Sequence, residues 1–144
     1  MVNKTLTVGC GAFIFCITTK RYLYLLRSKG KFPDSWGLVG GKIEPNESIE
    51  AGLKREIQEE LGGTIDNAKI LPIEKYTSDN QKFIYHTFLI KVEEEFVPFL
   101  NNEHKGYCWV KLKDCPRPLH PGLQRTFQIQ NIIKKLEAHQ EITN

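Results

Sequence analysis

Two rhythms of apolar residues alternate along the chain. Residues 6–18 are rich in Val, Ile, Phe and Thr and are interrupted by Gly9 and Gly11, which predicts a long strand bent at its glycines. Residues 22–27 predict a second strand, and the short polar link of Thr19, Lys20 and Arg21 makes the two a hairpin. Residues 36–39 form a short apolar segment that Gly40-Gly41 breaks off. Pro45-Asn46 then supplies a turn before a helical pattern over about residues 47–61, in which Ile49, Leu53, Ile57 and Leu61 recur every four residues. At about 100° per residue these four span roughly 120°, the width of a buried helix face. Gly62-Gly63 ends the helix.

Strand signals return at residues 69–73, 83–92 and 107–112, with Glu93 to Glu95 and Asn101-Asn102 read as solvated loop. Leu123, Phe127, Ile129, Ile132, Ile133 and Leu136 predict one C-terminal amphipathic helix. Strands that enclose a central helix, with a second helix closing the chain, predict an α/β domain with a mixed sheet between helices. There is no internal repeat or linker. A chain of 144 residues, 40% hydrophobic and 26% charged, suits a single domain over residues 1–144.

The net charge of +3 is too small to argue for nucleic acid or a membrane surface. Cys10, Cys16, Cys108 and Cys115 include no CxxC pair, so reduced thiols and a cytoplasmic location are expected. Residues 1–5 lead into the first strand without a long apolar run, and neither a signal peptide nor a membrane span is expected. Divided by segment, the charge says more. Residues 1–35 sum to +5, residues 41–63 to −3 and residues 111–144 to +3, so an acidic centre is flanked by basic segments. That distribution suits a divalent cation meeting a phosphorylated substrate.

Glu56, Glu59 and Glu60 stand at i, i+3 and i+4 on the predicted helix, within an arc of roughly 100° beside the apolar stripe. Like charges so placed destabilise an isolated helix by roughly 0.2–0.5 kcal/mol per pair. A hard, oxygen-preferring Mg²⁺ or Mn²⁺ would offset that. The three Glu taken alone equally describe a solvated acidic face with Lys54 and Arg55 as local partners.

The wider spacing separates these readings. Gly41, five residues, Glu47, seven residues, then Arg55-Glu56-Ile57-Gln58-Glu59-Glu60-Leu61-Gly62 resembles the Nudix box, the signature of the Nudix (MutT-like) hydrolases. Trp36-Gly37-Leu38-Val39-Gly40 and Glu103-His104-Lys105-Gly106-Tyr107-Cys108-Trp109-Val110 resemble that family's flanking segments. Three positions depart from its usual pattern: Val39 stands where many members have Pro, Asn46 where many have Gly, and Gly63 where the box usually ends in an aliphatic residue. Asn tolerates a left-handed turn, and none of the three removes a carboxylate.

The resemblance implies a Nudix-type α/β/α sandwich and metal-dependent hydrolysis of a nucleoside diphosphate linked to another group, by water attack at phosphorus. Nucleoside triphosphates, ADP-ribose, nucleotide sugars and dinucleoside polyphosphates all present that linkage. It implies Mg²⁺ or Mn²⁺ held by Glu56, Glu59, Glu60 and the Gly40 carbonyl, with Glu47 and Arg55 paired behind them. The family draws its general base from a box Glu or a later loop; the candidates here are Glu56, Glu103 and His104, and Glu103 is the best placed outside the box. Arg27 and Trp36 are candidates for substrate contact, Trp36 also for the core; Lys29 and Lys31 share the basic loop, and His86 and His120 receive no role. The expected partner is a small nucleotide, with no membrane or nucleic acid and with a homodimer left open. Beside hydrolysis stand a catalytically silent Nudix-like nucleotide-binding module and an RNA-binding or decapping factor. An isomerase built on this fold is a further alternative.

Overall fold

The computed structural model describes residues 6–63, 65 and 68–142, so the reading of residues 1–5 lies outside the described part. Strand β1 (Thr7–Cys16) turns into β2 (Arg21–Arg27), and the two pair antiparallel as the polar link predicts. Next come β3 (Trp36–Gly37), β4 (Val39–Lys42), α1 (Ile49–Leu61), β5 (Ile70–Thr77), β6 (Phe83–Val92), β7 (His104–Val110), α2 (Pro121–Phe127) and α3 (Gln130–Gln140). The sheet runs β3-β2-β1-β6-β5, with β4 also on β1 and β7 also on β2. It is mixed because β1 and β6 run parallel, in register from Thr7↔Phe83 to Cys16↔Val92.

As the central strand, β1 is buried on both faces, which accounts for its nearly unbroken apolar run. Alternation splits it between two cores. Cys10, Ala12, Ile14 and Cys16 pack with Leu53, Ile57 and Leu61 of α1, whereas Phe13 and Phe15 pack with Leu123, Ile132 and Leu136 of α2 and α3. Helices therefore cover both faces, as in the Nudix α/β/α sandwich. Among the described residues no helix is long and apolar enough to cross a membrane.

Several expectations are corrected. Helix α1 starts at Ile49, because Ser48 is its N-cap and accepts a hydrogen bond from the Ala51 N–H at 3.1 Å. Gly40 and Gly41 do not end a strand; they lie inside β4, opposite Gly11 and Cys10 of β1. Nor do Gly9 and Gly11 bend β1, which pairs there with β4 and β6 in continuous register. Strand β5 runs on to Thr77, carried past Ile73 by a bulge, and β7 begins three residues early and ends at Val110. Glu95 is no solvated turn residue: Arg21 donates to both its oxygens, at 2.6 and 2.5 Å. The C-terminal pattern is two helices, broken where Ile129 is extended. A continuous helix would turn Ile129 about 200° away from Phe127, and the break lets both reach the same core.

Leu53 is fully buried beneath α1. Leu53→Ala is expected to lower unfolding free energy by roughly 2–5 kcal/mol in urea titrations, with near-parental turnover per folded molecule. Parental stability would mean that α1 faces the sheet differently.

Candidate active site

The turn before α1 is built around one guanidinium. Asn46 adopts φ 67°, the left-handed conformation its side chain tolerates, and Glu47 Oε1 accepts the Glu44 N–H at 2.9 Å to close the turn. Arg55 donates Nε to Glu47 Oε2 at 2.7 Å, one terminal nitrogen to Glu47 Oε1 at 3.0 Å and the same nitrogen to the Lys42 carbonyl at 2.9 Å. Its other terminal nitrogen reaches Glu56 at 3.2 Å and Glu59 at 3.3 Å. This fork ties β4, the turn and the helix together. Arg55 accordingly holds the Glu47 carboxyl down at about 2.

The three box carboxylates stand close together, Arg55 touching both Glu56 and Glu59, but they are unequally buried. Glu56 and Glu60 lie four residues apart on the face turned to β4 and are buried, whereas the Glu59 side chain is half exposed. The Gly40 N–H donates to Glu60 Oε1 at 3.0 Å. The Glu56 carboxylate lies so close over Gly41 that a Cβ there would meet its Oε2 at 2.3 Å. Gly40 is likewise confined, since a Cβ on it would fall 2.1 Å from the Cys10 carbonyl oxygen. Only glycines let β4 pass between β1 and these carboxylates. Burial pushes Glu60 up to about 9, against the Gly40 N–H and reinforced by Glu56 and Glu103; burial also raises Glu56.

Glu103 reaches this centre from the far side of the chain. Its N–H donates to Asn101 Oδ1 at 2.9 Å, while the Asn101 amide donates to the Glu59 carbonyl at 3.0 Å. The Glu103 carbonyl in turn accepts the Ser28 N–H at 2.9 Å. One asparagine thus pins the loop before β7 to α1, bringing the Glu103 charge close enough to act on both Glu56 and Glu60. His104 is buried, its Nδ1 has no hydrogen-bond partner among the described residues, and burial lowers its pKa. Among the described residues no three His, Cys, Asp or Glu side chains are gathered tightly enough to hold a metal ion as they lie; Arg55 stands between Glu56 and Glu59.

On the other face of β4 opens a cavity of about 520 Å³. Gly40 and Gly41 border it, Tyr76, Phe83 and Tyr85 of the β5–β6 pair wall one side, and His120 and Leu123 at the start of α2 wall the other. Arg125 also lines it, with its guanidinium 4.0 Å from the Tyr76 ring centroid and 3.2 Å from Glu74. Arg27 borders the cavity with Nε donated to the Lys31 carbonyl at 3.0 Å. Trp36 is not among the lining residues; it packs on the core beneath α2 and α3. Sequence reasoning misses Tyr76, Phe83, Tyr85, His120 and Arg125. The alternation of Phe83, Tyr85 and Thr87 is the available signal, since it sets three residues on one strand face.

A NUDIX domain profile matches residues 7–128. The chain belongs to the NUDIX family. It is 30% identical over 134 residues to the nucleoside triphosphatase NudI of Escherichia coli O1:K1 / APEC, a match covering 85% of this chain and 90% of that protein. Its fold is similar to the MutT protein from Methanosarcina mazei Go1, with TM-score 0.69, 25% identity, and 98% of this chain and 99% of that one covered. It is also similar in fold to the Nudix hydrolase RenU from M. smegmatis, with TM-score 0.72, 18% identity, and 100% and 92% coverage. NUDIX membership supports a pyrophosphohydrolase-type role on nucleotide phosphoanhydrides.

Proposed function

We propose that the chain is a Mg²⁺- or Mn²⁺-dependent pyrophosphohydrolase that cleaves a diphosphate linkage in a nucleotide by water attack at phosphorus, with nucleoside triphosphates first among its substrates. The observation that carries this reading is the buried Glu56–Glu60 pair on Gly40-Gly41, at the edge of a cavity walled by aromatic rings. Likeness to a nucleoside triphosphatase supports the substrate order.

The residues fit a hard divalent cation. Two buried carboxyl groups with Glu103 nearby cannot all ionise easily without a cation, which is what the raised Glu60 reflects, and such a donor set is all oxygen. Glu56, Glu59, Glu60 and the Gly40 carbonyl would hold it. When bound, such a cation neutralises diphosphate oxygens and acidifies water. The rest falls to the chain itself. The Arg55–Glu47 pair fixes α1 against the turn, so that Glu56 and Glu60 keep their orientation without the substrate. Aromatic walls accept a planar base, Arg27 meets phosphate, and the Glu103 carboxylate accepts the proton of the attacking water.

A panel of nucleoside triphosphates, ADP-ribose, nucleotide sugars and dinucleoside polyphosphates, assayed with Mg²⁺ and with Mn²⁺ and read by product mass, tests the reading. No turnover of any member would refute it.

The raised Glu60 also fixes a pH dependence for the metal-free protein. Between its ordinary value of 4.5 and about 9 the folded chain keeps a proton that the unfolded chain has released, so stability falls as pH rises across that window. Thermal melts in EDTA should show this decline, and Glu60→Gln should flatten it. Added Mg²⁺ competes with that proton, so its stabilising effect should grow with pH. A Mg²⁺ effect independent of pH from 5 to 9 would count against a cation on Glu60.

A further inference from the structure

Gly9 and Gly11 stand two residues apart on the cavity face of β1, in the middle of the sheet, where glycine weakens a strand. What they make room for is one side chain. Tyr85 lies opposite Gly9 in the parallel β1–β6 register and lays its ring along β1. A Cβ on Gly9 would fall 2.9 Å from Tyr85 Cδ1, and one on Gly11 would fall 2.1 Å from the Tyr85 hydroxyl oxygen. The ring therefore ends over Gly11, which pairs with Gly40, and the Gly40 N–H holds Glu60.

Phenylalanine would fill this strip equally well, so packing alone leaves the hydroxyl without a task. Among the described residues no hydrogen bond engages it, although Tyr85 is partly buried. The hydroxyl is open to the cavity that Tyr85 lines and is free to donate to a ligand there. Arg27 lines the same cavity with its Nε already committed to the Lys31 carbonyl, which leaves its terminal N–H groups to point a positive charge at a ligand.

We propose that the Tyr85 hydroxyl and the Arg27 guanidinium together bind a non-bridging phosphate oxygen of the nucleotide and set its diphosphate between the aromatic cavity and the Glu56–Glu60 pair. The role rests on the nucleotide-hydrolase reading above. Gly9 and Gly11 are, on this account, the seat of a phosphate ligand rather than points of flexibility. The hydroxyl donates its proton, the phosphate oxygen accepts it, and no bond is made or broken.

The test compares binding of methylene-bridged ATP and dTTP analogues with binding of adenosine and thymidine, by calorimetry in Mg²⁺, for the parent and Tyr85→Phe. A hydrogen bond to a charged acceptor predicts that Tyr85→Phe binds the analogues about 10- to 100-fold more weakly, with a parallel fall in kcat/KM. Affinity for the nucleosides should stay within about twofold, and the melting temperature should hold. Equal loss on nucleosides and analogues would mean that the ring had moved, and no loss on either would mean that the hydroxyl is idle; both overturn the assignment. Gly11→Ala, which drives the hydroxyl from its seat while keeping the phenol, is expected to reproduce the loss on the analogues, and parental analogue affinity there also overturns it. A parent that hydrolyses nothing in the panel yet shows the phosphate-selective loss would refute the hydrolase reading alone. A parent that binds neither analogue refutes both.

Discussion

Glu60→Gln should lower kcat by roughly 10³-fold at saturating nucleotide and Mg²⁺ while the protein stays folded, because several kcal/mol of charge stabilisation depend on the carboxylates that would hold the cation. Glutamine keeps the shape of the side chain, and its amide oxygen can still accept the Gly40 N–H that Glu60 Oε1 takes at 3.0 Å. What disappears is a carboxyl group that can give up its proton to bind a cation. The metal-free variant should therefore melt at or above the parental temperature near neutral pH, since folding no longer requires a buried carboxyl, pushed up to about 9, to hold a proton that the unfolded chain releases. The gain in melting temperature on adding Mg²⁺ should shrink in the variant. Glu59→Gln should act in the same direction on turnover but leave metal-free stability almost unchanged, its side chain being half exposed. Parental turnover by Glu60→Gln at limiting Mg²⁺ would remove Glu60 from the cation site.

These effects follow from a helix whose inward face is legible in the amino-acid pattern alone, and the reasons bound what a sequence can reveal. The four-residue repeat of Leu53, Ile57 and Leu61 fixes which side of α1 meets the sheet, and Glu56 and Glu60 flank that side at the same period. Local spacing decides such matters. It cannot decide that Glu59 faces solvent, because helical periodicity gives directions without saying where β4 passes. Nor can it foresee that Gly40-Gly41 continues a strand, since two glycines read as a break until β1 and the carboxylates are seen to close on them. The cavity is illegible for a related reason. It joins β5, β6 and α2, segments far apart in sequence, and its aromatic residues look like ordinary strand residues until the parallel β1–β6 pairing lays Tyr85 across Gly9 and Gly11. The C-terminal helices show the converse case. Their apolar residues are evident from the pattern, but the two-residue step from Phe127 to Ile129 already contains the break that a single stripe cannot accommodate.

Glu103 carries the second large effect. As general base it should be worth roughly 10²- to 10⁴-fold in kcat, so Glu103→Gln is expected to lose that factor with KM nearly unchanged. The structure gives this expectation a scaffold that the sequence does not show: Asn101 bridges the Glu59 carbonyl and the Glu103 N–H, and Ser28 holds the Glu103 carbonyl. Asn101→Ala should thus mimic a weakened Glu103, reducing kcat by a smaller factor because the carboxylate remains but its backbone is no longer pinned to α1. The competing base is the neighbouring His104. Burial lowers its pKa, with Arg27 acting the same way and Glu103 opposing, so the imidazole is neutral and able to take a proton at pH 7. It is buried, however, so the test needs a substitution that keeps its volume, and His104→Gln is expected to cost far less than Glu103→Gln. The pH profile separates the two. If His104 were the base, kcat would fall on acidification through a pKa below the ordinary imidazole value, and Glu103→Gln would leave that limb in place at near-parental height. If Glu103 is the base, its removal lowers the whole profile. A Glu103→Gln enzyme within about threefold of the parent would return the role to Glu56 or His104.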